Sequence, residues 1–442
     1  MNARATQQLF KAACSAQEKN HFKVAVKKFR ALLDVIPSHL EARYRLAAIL
    51  FQGGDAKSAA VELQTLVKLS PDTLEFRFRS AHVLSELGDT VAAAAELLEA
   101  VRLDPANIVL QLQHGALCLK TGDEEGALSS FQRALTMAPQ LDTYASDPRV
   151  PAPLAETMRT ALSSLGKMRA EFTDATLAAV TDAYPQTDVS RLRQACEECG
   201  RPSGNGAQHQ PTLLYLPGIP SRGWYKRDML PWIDEVEAMY PDIQAELDAL
   251  VRDEAPFEPY IPAASAGTSS GSKLVGSMNW NSYRFYADGK AFTAHSEACP
   301  TTASVIDRVP TPYIRRHSPE MFFSRLRPKT QIEPHFGKMN VRLTVHLALT
   351  IPSDCGIKVG GETRGWTPGQ VLAFDDSIKH EAWNDSDDER IVLIFEAWNP
   401  DVSEVERFGI EQFFEHRMAW LERFDNDPLL PPIGTQPRME WE

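Results

Sequence analysis

The sequence predicts a multidomain α + β protein, in which an N-terminal α-helical solenoid precedes a C-terminal domain of antiparallel strands. Two observations in the 442-residue chain support this division. Proline recurs every 34 residues near the N-terminus, which is the period of a two-helix repeat. From about residue 275 onward, the sequence consists of short segments rich in β-branched and aromatic residues, separated by turn residues, as is typical of β-strands.

The N-terminal array is defined by residue types that return every 34 residues. Small residues let paired helices approach closely, glycine or asparagine can adopt a positive φ in the turn, and proline ends each unit. The recurring positions are Pro37, Pro71, Pro105 and Pro139; Ala25, Ala59, Ala93 and Ala127; Phe29, Leu63, Leu97 and Phe131; and Asn20, Gly54, Gly88 and Gly122. This pattern resembles the tetratricopeptide repeat over about residues 3–140, and we assign residues 1–140 to the array. Such arrays usually offer a concave surface to a peptide or protein partner; a solenoid that only supports or dimerises the catalytic part is the alternative.

Composition divides the remainder of the chain. Residues 141–199 are predicted to be capping helices, with the helical stretch at 153–172 covering the open end of the array. The stretch GRPSGNGAQHQP at 200–211 has linker composition, so we place a linker at 200–212. Residues 213–442 then form the predicted C-terminal domain, with helical segments flanking its strands.

Charge and cysteine content restrict the possible partners. The net charge of −13 does not favour broad binding to nucleic acid or to anionic lipid, because both require a basic surface. The N-terminus lacks the apolar core of a signal peptide, and no window reaches the roughly 18 apolar residues of a membrane span. We therefore expect a cytoplasmic protein whose six cysteines are reduced. Cys196 and Cys199 form either half of a metal or redox site or, as we favour, two small residues at a helix end.

Several strand-like segments follow residue 275 and predict an antiparallel double-sheet barrel of the jelly-roll kind. They are NSYRFYADG, MFFSRLRP, VRLTVHLALTIP, QVLAFDDS and RIVLIFEAW. In VRLTVHLALTIP, alternation places the apolar residues on one face and Arg342, Thr344 and His346 on the other. The polar face could point into the lumen of a barrel and line a site.

Two histidines and an arginine stand out in this half of the chain. His335 ends the strand-like run QIEPHFG, His380 follows 45 residues later, and Arg390 lies ten residues beyond His380. Imidazole suits Fe(II), and arginine can form a two-pronged salt bridge with the distal carboxylate of 2-oxoglutarate. Each residue also has a plainer interpretation, since a histidine in a strand is commonly structural and Arg390 could balance the acidic run DSDDE at 385–389.

A family resemblance extends this interpretation. Residues from about 213 to 400 resemble the catalytic domain of the aspartyl/asparaginyl β-hydroxylases, through YLPGIP, SRLRPKTQIEPHFG, VRLTVHLALTIP, GETRGW and FDDSIKHEAWN. The resemblance implies a double-stranded β-helix (jelly-roll, cupin-like) catalytic domain after the tetratricopeptide-like solenoid. It also implies an Fe(II)/2-oxoglutarate-dependent dioxygenase that hydroxylates the β-carbon of an aspartyl, asparaginyl or related residue in a peptide or protein and releases succinate and CO2.

The resemblance implies a role for each matching position. His335 and His380 match the iron ligands, and Ser324, His346 and Arg390 match the positions that hold 2-oxoglutarate.

Four further positions concern the substrate and the metal. Arg342 matches one of two basic residues expected near the substrate or co-substrate carboxylates, whereas Thr344 stands where the other is expected, which leaves recognition of an acidic substrate side chain open. Gly337 is the expected residue two places after the first histidine, because this family lacks the usual carboxylate ligand. Asp376, four residues before His380, is predicted to hold a metal-bound water or to orient His380.

Two alternatives to a peptide hydroxylase stay open. The same oxygenase chemistry could act on a small molecule or a lipid acyl chain. Thr344 is compatible with a small-molecule substrate, because it stands where a basic residue is expected. The chain could instead be a non-catalytic repeat scaffold, against which His335, His380 and Arg390 argue.

Overall fold

A computed structural model describes residues 3–200, 209–263, 273–431 and 438. Residues 201–208 of the predicted linker lie outside this range. The chain divides into two compact units, one formed by Met1–Met168 with Arg423–Glu442 and the other by Arg169–Glu422. No helix among the described residues is long and apolar enough to cross a membrane.

The first unit begins with eight helices that form four consecutive hairpins over the described residues. Their bounds are α1 (Ala3–Glu18), α2 (Phe22–Val35), α3 (Leu40–Gln52), α4 (Ala56–Leu69), α5 (Leu74–Glu86), α6 (Thr90–Leu103), α7 (Ile108–Thr121) and α8 (Glu124–Met137). The predicted alanine and large apolar positions are all buried between the helices. Asn20, Gly54, Gly88 and Gly122 have positive φ angles, as the turn in each unit requires.

Each of the last three turns is completed by an aspartate that caps the following helix. The side chain of Asp55 accepts a hydrogen bond from Ser58 N, that of Asp89 from Ala92 N, and that of Asp123 from Gly126 N. These bonds satisfy amide groups that the first turn of a helix leaves unpaired. The glycine and aspartate pair therefore fixes both the end of one helix and the start of the next.

The C-terminal segment of the chain packs on the last hairpin of this unit. Gln111 on α7 donates from Nε2 to the carbonyl of Leu429 at 2.8 Å, and Arg133 on α8 pairs with Asp427 at 2.7 Å. Further along, Arg438 exchanges backbone hydrogen bonds with the start of α7 and forms an ion pair with Asp104. The helical unit therefore contains residues from both ends of the chain.

The helices that follow are α9 (Leu141–Ser146), α10 (Ala152–Ala183) and α11 (Ser190–Glu197). The predicted helical stretch at 153–172 lies inside α10. Cys196 and Cys199 are buried in an apolar cluster with residues such as Val180 and Phe413. Burial raises the pKa of both thiols. This favours the interpretation of the pair as small packing residues.

The second unit contains an eight-stranded and a four-stranded antiparallel sheet in its described part. The strands are β1 (Trp224–Tyr225), β2 (Glu258–Pro259), β3 (Trp280–Ala287), β4 (Lys290–Ala291), β5 (Met321–Leu326), β6 (Thr330–His335), β7 (Arg342–Thr350), β8 (Cys355–Val359), β9 (Glu362–Arg364), β10 (Val371–Phe374), β11 (His380–Asn384) and β12 (Arg390–Trp398). The larger sheet has the order β1-β10-β7-β12-β5-β3-β2, with β4 paired to β3, and the smaller has the order β6-β11-β8-β9. The five predicted strands after residue 275 all form, and all belong to the larger sheet.

Helices cover the outer face of the larger sheet. They are α12 (Ile233–Ala238), α13 (Tyr240–Arg252), α14 (Thr293–Ala298) and α15 (Pro300–Ala303), while α16 (Glu404–Leu421) packs with α10 and α11. The alternation predicted for β7 is present, because Leu343, Val345 and Leu347 lie in the apolar core under these helices. The opposite face of β7 is directed toward the four-stranded sheet. The polar side chains of β7 therefore meet the smaller sheet and not the helices.

Candidate active site

A cavity of about 680 Å³ lies between the two sheets of the second unit. Both sheets contribute to its walls, so residues far apart in sequence meet there. All seven residues predicted for the site line the cavity: Ser324, His335, Arg342, His346, Asp376, His380 and Arg390. Gly337 and Thr344 line it as well.

The two predicted metal ligands face each other across neighbouring strands of the smaller sheet. His335 at the end of β6 is the register partner of His380 at the start of β11, and their ring centroids are 4.1 Å apart. The Nδ1 atoms bond the carbonyls of Glu333 and Ile378 at 2.8 and 2.9 Å, which makes each Nδ1 the donor and leaves each Nε2 as a free acceptor. Metal-binding histidines commonly have such a bond, because it fixes the tautomer and the ring orientation.

The charge state of this pair also suits a metal. Burial and, to a lesser extent, the neighbouring His335 lower the pKa of His380 to about 4. His380 is therefore neutral at physiological pH, as a metal ligand must be. Within the described part of the chain, no group of three or more His, Cys, Asp or Glu side chains is arranged to hold a metal ion.

Gly337 and Asp376 share one small volume beside the histidines. Gly337 N donates to the carbonyl of Asp376 at 2.7 Å, and a Cβ atom added to Gly337 would overlap the Asp376 carboxyl group. Among the described residues, the buried Oδ1 of Asp376 has no hydrogen-bond partner. Asp376 thus fills the space that a side chain at position 337 would need, and it has an unused acceptor.

Arg390 forms the end of the cavity that is predicted to bind the co-substrate. Its side chain is buried, with 1% exposed, and its Nε and Nη1 atoms have no hydrogen-bond partner in the described residues. The guanidinium carbon lies 5.0 Å from the ring centroid of Trp366. Burial lowers the pKa of Arg390 to about 10, so the group remains a cation at neutral pH. A buried cation with unused donors is costly unless an anion binds it, which makes this end suited to a carboxylate.

Two tryptophans orient the other residues at this end. Trp280 Nε1 donates to Ser324 Oγ at 3.1 Å, and Trp366 Nε1 donates to His346 Nδ1 at 3.3 Å. The second bond places the His346 proton on Nε2. Burial lowers the pKa of His346 well below its usual value, with Arg390 adding to the effect, so the ring is a neutral donor.

The opposite end of the cavity holds an ion pair that involves Arg342. Its Nη1 bonds Glu396 Oε1, and its Nη2 lies 3.9 Å from Asp376 Oδ2. Burial raises the pKa of Glu396, and the Arg342 guanidinium acts in the opposite direction. Glu320 lines the same end. Arg342 is therefore near the predicted substrate position, but its charge already has a carboxylate partner.

Sequence reasoning missed Glu396, Glu320 and Trp366. A signal for Glu396 was present, because Arg390 and Glu396 are six residues apart on one strand and so share a face. Trp366 ends GETRGW, a segment that carries the family resemblance, but the spacing of this segment did not assign the tryptophan to the site. Glu320 precedes β5 and follows a proline, so its orientation could not be derived from alternation.

The comparison with known proteins agrees with this geometry. Residues 237–400 match the family described as "Aspartyl/Asparaginyl beta-hydroxylase", and residues 10–72 and 74–107 match tetratricopeptide repeat families. The chain therefore contains an aspartyl/asparaginyl β-hydroxylase family domain over residues 237–400, preceded by N-terminal tetratricopeptide repeats. The predicted family and the predicted repeats are thus confirmed.

The relatives of this chain include proteins with different names. The Xenopus tropicalis "Aspartate beta-hydroxylase domain-containing protein 2" is 26% identical over 52% of this chain. The human "Aspartyl/asparaginyl beta-hydroxylase" is 30% identical over 40% of it, and the Rhizobium tropici "Ornithine lipid ester-linked acyl 2-hydroxylase" is 27% identical over 40%. The chain spans 62% of the length of the Xenopus protein and 24% of the human one.

Similarity to solved structures is weak. A crystal structure of MamA protein matches 42% of this chain and all of its own length at 16% identity, with a TM-score of 0.31. A score this low supports no conclusion about this chain.

Proposed function

We propose that this chain is an Fe(II)- and 2-oxoglutarate-dependent dioxygenase that hydroxylates the β-carbon of an aspartyl, asparaginyl or related residue in a peptide or protein, with release of succinate and CO2. One observation carries the proposal. Two histidines with free Nε2 atoms and a buried arginine with unused donors line one cavity. Family membership supports the same chemistry.

The donor set fits both groups that the proposed reaction requires. His335 and His380 would hold Fe(II), and Arg390, Ser324 and His346 would hold 2-oxoglutarate. Bound iron would supply the activation of dioxygen, because two protein ligands leave positions for a chelating 2-oxoacid and for O2.

The chain's own residues have defined tasks in this proposal. The Nδ1 bonds of His335 and His380 keep both Nε2 atoms directed into the cavity. The unpartnered Oδ1 of Asp376 can accept a proton of a metal-bound water. The neutral His346 can donate from Nε2 to a co-substrate oxygen.

The predicted architecture extends this proposal. We propose that the two antiparallel sheets form the jelly-roll barrel, with domain boundaries at 1–140, 141–199, 200–212 and 213–442. The repeat array would deliver a peptide or protein substrate. The predicted cytoplasmic location stays a prediction.

A second candidate is the same chemistry on a lipid acyl chain or another small molecule. Two observations favour considering it: one relative is named as an acyl 2-hydroxylase, and Thr344 replaces a basic residue expected near the substrate or co-substrate carboxylates. Under this alternative the apolar and aromatic side chains of the cavity, such as Tyr260 and Phe322, would contact the substrate.

Anaerobic titration tests the proposed function. Addition of Fe(II) and 2-oxoglutarate to the full chain should produce the visible charge-transfer band of the chelate. We expect His335→Ala and His380→Ala to lose the band, and we expect His21→Ala to keep it, because His21 is an exposed residue of the helical unit. A wild-type chain without the band would favour the non-catalytic scaffold. A peptide screen for a mass gain of one oxygen then separates the peptide from the acyl alternative.

A further inference from the structure

We propose that Glu396 makes the substrate end of the cavity select a group with N–H donors and reject a carboxylate. The inference rests on the proposed function, because it concerns the substrate of the same cavity. It narrows the substrate class from aspartyl or asparaginyl residues to residues that present an amide or a cationic nitrogen.

The substrate end is defined by its distance from Arg390 along β12. Arg390 is the first residue of this strand, and Glu396 lies six residues further along it. At about 3.4 Å per residue, their backbones are separated by roughly 20 Å. His346 on β7, which is also proposed to hold the co-substrate, is paired with Ile394 on β12. A co-substrate held by Arg390 and His346 therefore lies on the Arg390 side of Glu396, and the Glu396 end is left for the substrate.

Strand register brings an acid to the position where a second base is expected. Glu396 on β12 is the direct cross-strand partner of Thr344 on β7. Both side chains line the cavity, and directly opposed side chains on one sheet face contact each other. A site adapted to a substrate carboxylate would have a base at this pair of positions. This chain has a hydroxyl and a carboxyl group there instead.

Arg342 cannot substitute for the missing base while Glu396 is present. Its guanidinium bonds Glu396, and the side chains of both residues are at most 5% exposed. The second oxygen of Glu396 accepts a hydrogen bond from Glu320 N at 3.1 Å, which fixes the carboxyl group in place. A substrate carboxylate would have to break a buried ion pair or approach Glu396 without compensation, and both are unfavourable.

The remaining charged groups at the substrate end also disfavour a substrate carboxylate. Lys338, the other cation among the described residues there, lies 3.7 Å from Glu320 and 3.5 Å from Asp288. Arg342 and Lys338 thus each have a carboxylate within 4 Å, although Nε of Arg342 is a buried donor without a partner among the described residues. The carboxyl groups at this end outnumber these two cations, because Glu320, Asp376 and Glu396 all line it. An amide, guanidinium or ammonium group fits this arrangement, and a carboxylate does not.

Three peptide pools test the inference on the full chain. The pools share random flanking positions and differ only in a central Asp, Asn or Arg, and the measured quantity is the initial rate of succinate formation above the rate without peptide. We expect the Asn or Arg pool to exceed the Asp pool at least tenfold. Comparison of the Asn and Arg arms then separates an amide substrate from a cationic one.

Two variants test whether Glu396 and its cross-strand partner Thr344 cause the selectivity. Glu396→Gln frees the Arg342 charge, and Thr344→Arg supplies the missing base, so either variant should shift the ratio at least tenfold toward the Asp pool. If Glu396→Gln does not fold, Thr344→Arg alone provides the test. The shift should appear chiefly in KM for the pool. The control Glu297→Gln, at an exposed position outside the cavity lining, should keep the wild-type ratio.

The possible outcomes separate this inference from the proposed function. A wild-type preference for the Asp pool overturns the inference, as does an unchanged ratio in Thr344→Arg. A chain that forms the Fe(II)–2-oxoglutarate band and responds to none of the pools also overturns it, because the cavity then does not take a peptide side chain of either kind. Absence of the band contradicts the proposed function itself.

Discussion

Arg390 shows how much of a residue's role can be predicted from its position in the sequence. Its spacing from His380 predicted a carboxylate-binding role, and the alternative was a surface arginine that balances the run DSDDE. In the structure, Arg390 is buried, and other residues compensate the acidic run: Arg325 and Arg327 lie 3.7 and 3.8 Å from Glu389. The alternative is therefore not supported, although only ligand binding can test the predicted role.

Replacement of Arg390 should separate stability from ligand binding. We expect Arg390→Met to abolish detectable 2-oxoglutarate binding and to keep or raise the stability of the ligand-free protein by about 1–3 kcal/mol, because it removes a buried cation with unused donors. Thermal unfolding and anaerobic titration measure the two effects. Arg390→Lys, which keeps the charge but loses the paired donors, should bind 2-oxoglutarate more weakly than the wild type. A destabilised Arg390→Met protein would contradict the interpretation.

Asp375 should make the stability of the protein depend on pH. Burial raises the pKa of this carboxyl group to about 8, compared with about 3.9 in an unfolded chain. The fold thus favours the protonated form. Its contribution to stability is complete below about pH 4 and is lost as the pH rises toward 8.

Asp375→Asn removes this titration and keeps a neutral side chain of similar shape. The free energy of unfolding of the variant should therefore decrease less between pH 4 and 8 than that of the wild type. Denaturant unfolding at several pH values gives the two profiles. Asp253→Asn, at an exposed position, should follow the wild type. Parallel profiles for Asp375→Asn and the wild type would count against the raised pKa.

At the level of elements, the sequence predicted the larger sheet better than the smaller one. The strands β7 and β12 are nine residues long, and β7 alternates clearly enough to define its two faces. Strands β8, β9 and β11 have at most five residues, and β9 is polar. Such short strands form because the neighbouring strands and the opposite sheet stabilise them, and local preference does not reveal this. The residue pattern and the family resemblance both suggested that His335 and His380 act together, but neither gave the register that pairs them across β6 and β11.

A glycine in α7 gives a prediction for the helical hairpins. A Cβ atom on Gly115 would lie 2.5 Å from the ring of Phe131 on α8, whereas a Cβ atom on Gly166 in α10 would meet no atom within 4 Å. We expect Gly115→Ala to destabilise the helical unit by about 1–3 kcal/mol through overpacking. Gly166→Ala, the matched control, should stabilise its helix by about 0.5–1 kcal/mol. Urea unfolding followed by circular dichroism at 222 nm distinguishes them, and equal effects would contradict the close contact.

At the scale of the whole molecule, the order of the chain does not reveal which residues form each unit. The sequence indicated a repeat array followed by a second domain, and the structure has both. It did not indicate that residues 427–429 and Arg438 pack on α7 and α8. The contacts join residues about 300 positions apart and depend on single side chains, so no periodic pattern in the sequence predicts them.

The ion pair between Arg133 and Asp427 can be used to test whether the packing of the C-terminal segment stabilises the helical unit. Its side chains are 11% and 8% exposed, so loss of one partner leaves a poorly solvated charge. We expect Asp427→Asn to lower the free energy of unfolding of the helical unit by about 1–3 kcal/mol. Asp147→Asn, which removes the partner of the largely exposed Arg149, should have no measurable effect. If both variants unfold like the wild type, the C-terminal segment does not stabilise the repeats.

The shared volume of Gly337 and Asp376 has a consequence for how such a site can evolve. A lineage that acquired Asp at 337 would place two acids where there is room for one, and a lineage that first lost Asp376 would leave a hole with no acid at all. We expect each of these single substitutions to impair the site. Exchange between a two-histidine centre and one with an added carboxylate ligand therefore requires paired substitutions, which would tend to keep the two kinds of centre in separate branches of descent.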